Sequence, residues 1–276
     1  MYSADVHGGR TALRYGLRMW YNTTPRQTMK NDTILEVNDL KVWFPIKKGV
    51  FARTAGYVKA VDGVTFEIRR GETLGVVGES GSGKSTTARM VVGLVKPTGG
   101  SFTLKGRFGM VFQDPLGSLN PRRTVRATLA EALEISGNPH GFTVEQLLDM
   151  VGLDATALDK YPHEFSGGQR QRVCIARAIA PGPDLLICDE AVSALDLSIR
   201  ATVLDLLADL KRKLNLSILF ITHDLGVVRH IADRVIVMHR GRIVEQGECA
   251  AILLNPREEY TKALVAAVPK IGKPLA

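Results

Sequence analysis

Apolar residues along this chain fall into two rhythms. Short, nearly continuous apolar runs stand at Glu72-Thr73-Leu74-Gly75-Val76-Val77, Met110-Val111-Phe112, Leu185-Leu186-Ile187-Cys188 and Ile218-Leu219-Phe220-Ile221-Thr222. Runs of this length predict strands buried on both faces, as in a parallel sheet covered by helices. Elsewhere the apolar residues recur every three or four positions. Val125, Leu129, Leu133 and Ile135 do so, as do Val144, Leu147, Leu148 and Val151, and Ile199, Val203, Leu206, Leu207 and Leu210. That period predicts amphipathic helices, with Gly137-Asn138-Pro139-His140-Gly141 breaking the first two apart. Lys84 to Leu94 and Val173 to Ala180 also read as helices, and Arg234 to Met238 and Arg242 to Glu245 as two closing strands. Near the start, the β-rich runs Ile34 to Trp43 and Val58 to Ile68 flank a basic, glycine-containing loop, which predicts a small antiparallel part. Alternating strands and helices place the chain in the α/β class.

The polar residues that end these strands carry the candidate chemistry. The first strand runs into Gly78-Glu79-Ser80-Gly81-Ser82-Gly83-Lys84-Ser85, followed by Thr86. This matches a phosphate-binding loop in full: glycines let the backbone bend around an anion, Lys84 reaches the β and γ phosphates, and the Ser85 hydroxyl suits Mg²⁺. The helix that follows turns a partially positive N-terminus toward the phosphates. The strand at Leu185 ends in Asp189-Glu190, which suits one carboxylate for a magnesium shell and a second for an attacking water. Alone, the acid pair would be an ordinary solvated strand end. Ser166-Gly167-Gly168-Gln169 opens a helix and offers either a second anion site or a plain serine cap. His223, taken by itself, reads as a structural histidine.

The order of these segments resembles the ATP-binding cassette family. Phe165-Ser166-Gly167-Gly168-Gln169 is similar to its signature, with Phe165 in place of leucine, and Gln113, Ser193-Ala194-Leu195-Asp196 and His223 follow in the family's order. Leu40 to Gly49, Gln113 to Arg122, Tyr161 to Arg172 and Asn255 to Leu264 look like the ATPase subunits of bacterial oligopeptide, dipeptide and nickel importers. The resemblance implies a P-loop NTPase (RecA-like) core with a small antiparallel β subdomain and an inserted α-helical subdomain. The ATP-binding domain is expected over residues 34–269 and its helical lobe over about 114–180. ATP is the implied substrate, held by Gly78 to Thr86, with Phe44, beside Trp43, in the place of the aromatic that stacks on adenine. Ser85, Gln113 and Asp189 are implied for Mg²⁺, Glu190 as general base, and His223, Gln113 and Lys84 around the γ-phosphate. Ser166, Gly167, Gly168 and Gln169 are implied to act on ATP bound to another ATPase chain, a copy or a homologue. Integral membrane permease subunits are the implied partners, with an extracytoplasmic solute-binding protein engaged indirectly, and no nucleic acid. The implied place is the cytoplasmic face of the cell membrane, as a peripheral subunit. A nickel importer, an exporter and a non-transport cassette protein remain alternatives.

The chain departs from the family in two places. Ala191 follows the catalytic acid where proline is usual, which is expected to loosen the turn. The cysteine-bearing tail that holds iron and sulfur in many relatives is missing, so no iron-sulfur cluster is expected. Cys174, Cys188 and Cys249 are scattered and read as small buried residues without a disulfide framework. The histidines His223, His230 and His239 lack ligand spacing, and no structural zinc is assigned. With 276 residues, 45% of them hydrophobic, the chain can bury a sizeable core, and no stretch reaches transmembrane length. The net charge of +8 is spread over helices and termini and is compatible with a negative membrane leaflet. Residues 1–33 form a basic leader in which Arg10, Arg14, Arg18, Arg26 and Lys30 interleave with Leu13, Tyr15, Leu17, Met19 and Trp20. A short amphipathic surface helix, a disordered leader, and an upstream start before a true Met29 are the readings open for it. Residues 270–276 are expected to be a short tail.

Overall fold

The computed structural model describes residues 32–48 and 53–267. The leader as far as residue 31 and the tail at 270–276 lie outside the described residues. β1 (Thr33–Lys48) and β2 (Arg53–Arg69) form a long antiparallel hairpin. It runs further than the two apolar runs predict, because backbone pairing continues through Phe44 opposite Val58 and Ile46 opposite Gly56. Hydrogen-bonded edges of this kind need no apolar residue at each position, so the hydrophobic pattern does not register them. β3 (Thr73–Val77) leads into the phosphate loop and α1 (Lys84–Val91). β4 (Gly99–Leu104) then joins β1, setting Phe102 opposite Val37 and Leu104 opposite Leu35. Its two leading glycines hid it from the sequence pattern.

The main sheet has six strands, built from β3 with β5 (Phe108–Val111), β6 (Leu185–Asp189), β7 (Ser217–Thr222), β8 (Arg234–His239) and β9 (Arg242–Glu248), in the order β5-β6-β7-β3-β8-β9. All neighbours are parallel except the edge pair of β8 and β9. The period of two is visible in the core. Ile218 and Phe220 of β7 join Leu186 and Cys188 in one buried cluster, while Leu219 and Ile221 join Leu185 and Ile187 in another with Ile34, Leu35, Leu74 and Val76. Truncating a fully buried side chain such as Phe220 should cost about 3–5 kcal/mol.

Every regular element described between β5 and β6 is helical. A one-turn helix at Pro115–Ser118 is followed by α2 (Val125–Ser136), α3 (Val144–Met150), two short 3₁₀ turns and α4 (Gly167–Ile179). In α2 the buried residues are Val125, Thr128, Leu129 and Leu133, whereas Ile135 points outward at 81% exposure despite fitting the spacing. α4 starts at Gly167, so the segment that opens it is itself helical ahead of the apolar stretch from Val173. A reciprocal cap at Ser166 and Gln169 overrides the weak helix propensity of the two glycines. α5 (Leu197–Leu214) returns to β7, α6 (Leu225–Ile231) links β7 to β8, and α7 (Cys249–Leu254) and α8 (Glu259–Ala266) follow β9. Cys174, Cys188 and Cys249 are buried and free, and burial pushes each thiol up, that of Cys188 to about 12. Among the described residues no helix is long and apolar enough to cross a membrane.

Candidate active site

The strand order brings the candidate residues to one edge. Parallel strands β5, β6, β7 and β3 lie side by side, with Val111 opposite Cys188, Asp189 opposite Ile221, and Thr222 opposite Val77. Gln113, Glu190, His223 and Gly78 stand one or two residues beyond these strands, at their carboxyl ends, where open α/β sheets bind ligands.

The phosphate loop is fixed by close backbone packing. A Cβ at Gly78, whose φ is +150°, would lie 2.1 Å from the Met238 carbonyl oxygen, and one at Gly83, with φ +107°, 2.3 Å from that of Ala60. Only glycine fits either position. The turn between β8 and β9 braces the loop from outside, since the Gly241 N–H donates to the Ser82 carbonyl at 2.9 Å. Lys84 is 3% exposed, and its ammonium donates to the carbonyls of Gly78 (2.7 Å) and Glu79 (2.8 Å) and to Ser82 Oγ (3.4 Å). Burial lowers its pKa, opposed by the nearby carboxylates of Glu190, Asp189 and Glu79. Ser80 and Gly81 are exposed and Thr86 is half-buried. α1 has Gly83 at its N-cap and no side-chain cap, and among the described residues no side chain accepts its first N–H groups.

Ser85 Oγ donates to Asp189 Oδ1 at 2.7 Å. Asp189 is 2% exposed, and burial pushes its carboxyl up, partly offset by that hydrogen bond. Glu190 adopts a left-handed backbone with φ +50°, an uncommon conformation for a residue bearing a Cβ. Its N–H donates to Ile221 O at 2.9 Å, continuing the pairing of β6 with β7 by one bond. Glu190 Oε2 accepts Gln113 Nε2–H at 3.1 Å and lies 3.3 Å from His223 Nδ1. Gln113 and His223 therefore meet on one carboxylate oxygen. After Ala191, which is buried in the core, the Ser193 N–H and Oγ both reach the Glu190 carbonyl, at 3.1 and 2.6 Å, and close the turn.

The signature segment is built differently. Ser166 Oγ accepts the Gln169 N–H at 3.3 Å while Gln169 Oε1 accepts the Ser166 N–H at 3.0 Å. Gly168 is buried, and a Cβ there would meet Ile199 Cγ2 at 2.5 Å. Phe165 is buried in the same cluster as Leu195. Among the described residues no hydrogen bond joins 166–169 to the phosphate loop. Phe44 is 44% exposed, whereas Trp43 is engaged: its indole N–H donates to Asp62 at 3.1 Å and Lys59 lies 4.4 Å above its ring. Arg200 was not singled out in the sequence. It reaches Asp224 Oδ2 at 2.8 Å and the Leu195 carbonyl at 3.3 Å, tying the 193–196 segment to the residue after His223. No local pattern could have signalled that pairing.

Residues 61–193 match the family described as ABC transporter. The chain is 48% identical over 267 residues to the oligopeptide transport ATP-binding protein AppF of Bacillus subtilis, covering 88% of this chain and 80% of that one. It is 46% identical over 259 residues to the dipeptide transport ATP-binding protein DppF of Escherichia coli, covering 87% and 77%. A bacterial ABC transporter cassette solved as a dimer superimposes with a TM-score of 0.66 at 25% identity, over 78% of this chain and 98% of that one. The chain belongs to the ABC transporter family, as one of its ATP-binding, ATP-hydrolysing subunits.

Proposed function

We propose that this chain hydrolyses ATP to energise a bacterial importer of oligopeptides or dipeptides, bound to membrane permease subunits at the cytoplasmic face and paired with a second ATPase chain. The observation that carries the reaction is the single carboxylate oxygen of Glu190 shared by Gln113 and His223, beside the Ser85–Asp189 pair. The cargo is carried by the resemblance to oligopeptide and dipeptide transport subunits over most of the chain. Residues 34–269 are taken as the ATP-binding domain, with about 114–180 as its helical lobe.

The donor set fits Mg²⁺: a hydroxyl and a carboxylate in contact are hard oxygen ligands, and the remaining ligands would come from phosphate and water. Ser85 and Asp189 would hold it, with Gln113 nearby, and when bound it supplies positive charge against the phosphate oxygens. Lys84 keeps the Gly78 carbonyl and exchanges its bonds to the Glu79 carbonyl and Ser82 Oγ for phosphate oxygens of ATP, and the uncapped N–H groups of α1 add to that cradle. Glu190 takes the proton of the attacking water on its carboxylate, while His223 and Gln113 fix the orientation of that carboxylate. Phe44 offers a flat face for adenine. Ser166 to Gln169 face the ATP of the paired chain, a reading supported by the absence of any hydrogen bond to their own loop among the described residues.

A groove of about 800 Å³ beside the acids, lined by Arg89, Leu94, Phe108, Gln113, Arg177 and Asp189 among others, supports a permease contact that senses Gln113. The test is reconstitution with the permease and solute-binding protein of a bacterial oligopeptide importer. ATP turnover should rise when the binding protein is loaded with oligopeptides. Stimulation by nickel alone, or failure to co-purify with any permease, would overturn the reading.

A further inference from the structure

The C-terminal run Asn255 to Leu264 has no part in the mechanism above, yet it delivers a side chain to the phosphate loop. Tyr260, on α8, accepts the Glu79 N–H on its hydroxyl oxygen at 3.0 Å. That N–H belongs to the same peptide unit as the Gly78 carbonyl, which accepts the Lys84 ammonium at 2.7 Å. In a trans peptide the two groups point in opposite directions. The unit is therefore gripped at both ends, by Tyr260 on the outside and by Lys84 on the inside.

The grip has its own foundation. The Tyr260 ring stacks on His239, with centroids 4.0 Å apart and planes 11° from parallel. His239 directly follows Met238, whose carbonyl packs against Gly78. Tyr260, Leu264 and Val265 pack on the buried cluster that contains Val77, the last residue before the loop. The start of α8 is held by Glu245 of β9, whose carboxylate accepts the N–H groups of Arg257 (2.9 Å) and Glu258 (3.2 Å).

We propose that Tyr260 is a positioning residue for ATP: its hydroxyl pins the Gly78–Glu79 peptide plane whose carbonyl aims Lys84, so the C-terminal helix sets the affinity of the phosphate loop. The proposal rests on the reading of that loop as the ATP site. Without the hydroxyl, the peptide is held from the Lys84 side alone, and more of the loop must be ordered when the nucleotide arrives. The cost falls on binding, not on the chemical step.

The full chain carrying Tyr260→Phe keeps the ring and its stack and loses only the acceptor. In nucleotide-free protein, hydrogen exchange at the Glu79 amide should rise about fivefold, the equivalent of one ordinary hydrogen bond. The Kd for MgATP should weaken by about the same factor, while turnover at saturating ATP in the assembled transporter stays within about twofold of the parent. A merely structural tyrosine would give a general rise in exchange through α8 with parent ATP affinity, and that result overturns the proposal. So does an unchanged Glu79 amide. If the parent itself bound no MgATP, the ATP-site reading would fall instead, and the exchange measurement would still decide whether Tyr260 holds the loop.

Discussion

Two helix N-termini in this chain are proposed phosphate sites, and they are built in opposite ways. α1, which opens at Lys84, has Gly83 at its N-cap and no side-chain cap. α4 begins at Ser166, whose side chain closes a reciprocal cap with Gln169. An uncapped terminus leaves donors for a ligand, whereas a capped one has satisfied its own and holds its shape without one. Ser166 nevertheless keeps its hydroxyl proton, because its oxygen acts as the acceptor in the cap. The first terminus thus suits a nucleotide held in its own chain. The second suits a preformed surface pressed onto a nucleotide held by another.

The sharpest break of this comparison falls on the chemistry of the first region. Glu190→Gln keeps the shape and the partners Gln113 and His223 but removes the proposed base. Turnover should fall by roughly 10²–10⁴ while MgATP affinity stays within about threefold, as measured by steady-state hydrolysis and nucleotide titration. Turnover near the parent rate would mean another residue is the base. Next in size, Lys84→Ala removes a buried cation, and the Kd for MgATP should rise roughly 10–100-fold, given about 1.5–3 kcal/mol for a hydrogen bond to a charged group. An unchanged Kd in folded protein would remove the phosphate-loop assignment.

How much of this could be read from the chain follows from chemistry. Gly78, Asp189 and Glu190 stood out as candidates because phosphate and metal chemistry permits few residue types and each follows or ends an apolar strand, Lys84 stood out through the loop pattern, and His223 only through the family resemblance. The strand order that aligns them was not legible, since parallel pairing leaves no local mark. Tyr260 and Glu79 are 181 residues apart, and Arg200 and Asp224 are 24 apart, so no periodicity connects them. β4 was hidden by Gly99 and Gly100, and Ile135 misled because helical spacing does not say which neighbour covers a residue.

The second region responds more weakly by itself. Ser166→Ala should lose about 1 kcal/mol of helix-cap stability, seen as a fall of about 2–4 °C in Tm, together with lost turnover in the assembled transporter. A fall in Tm with full turnover would make the segment a cap alone. The smallest effect concerns the support of α8. Burial pushes Glu245 up, but the N–H groups of Arg257 and Glu258 outweigh it and hold its pKa below the usual value. Its contribution is therefore fully present above the unfolded carboxylate range and is lost as pH falls through the lowered folded value. Acid titration followed by amide exchange in α8 should show that loss, and Glu245→Gln should weaken α8 already at pH 7 and abolish the pH step.

The proposed sharing of the site between chains is tested most directly by complementation. A Lys84→Ala chain and a Ser166→Arg chain are each made, then mixed in a dimer where this protein pairs with itself. One site of each mixed pair combines an intact phosphate loop with an intact signature. Turnover absent from either variant alone should reappear in the mixture. A mixture as inactive as its parts, with mixed dimers demonstrably formed, would contradict the shared site.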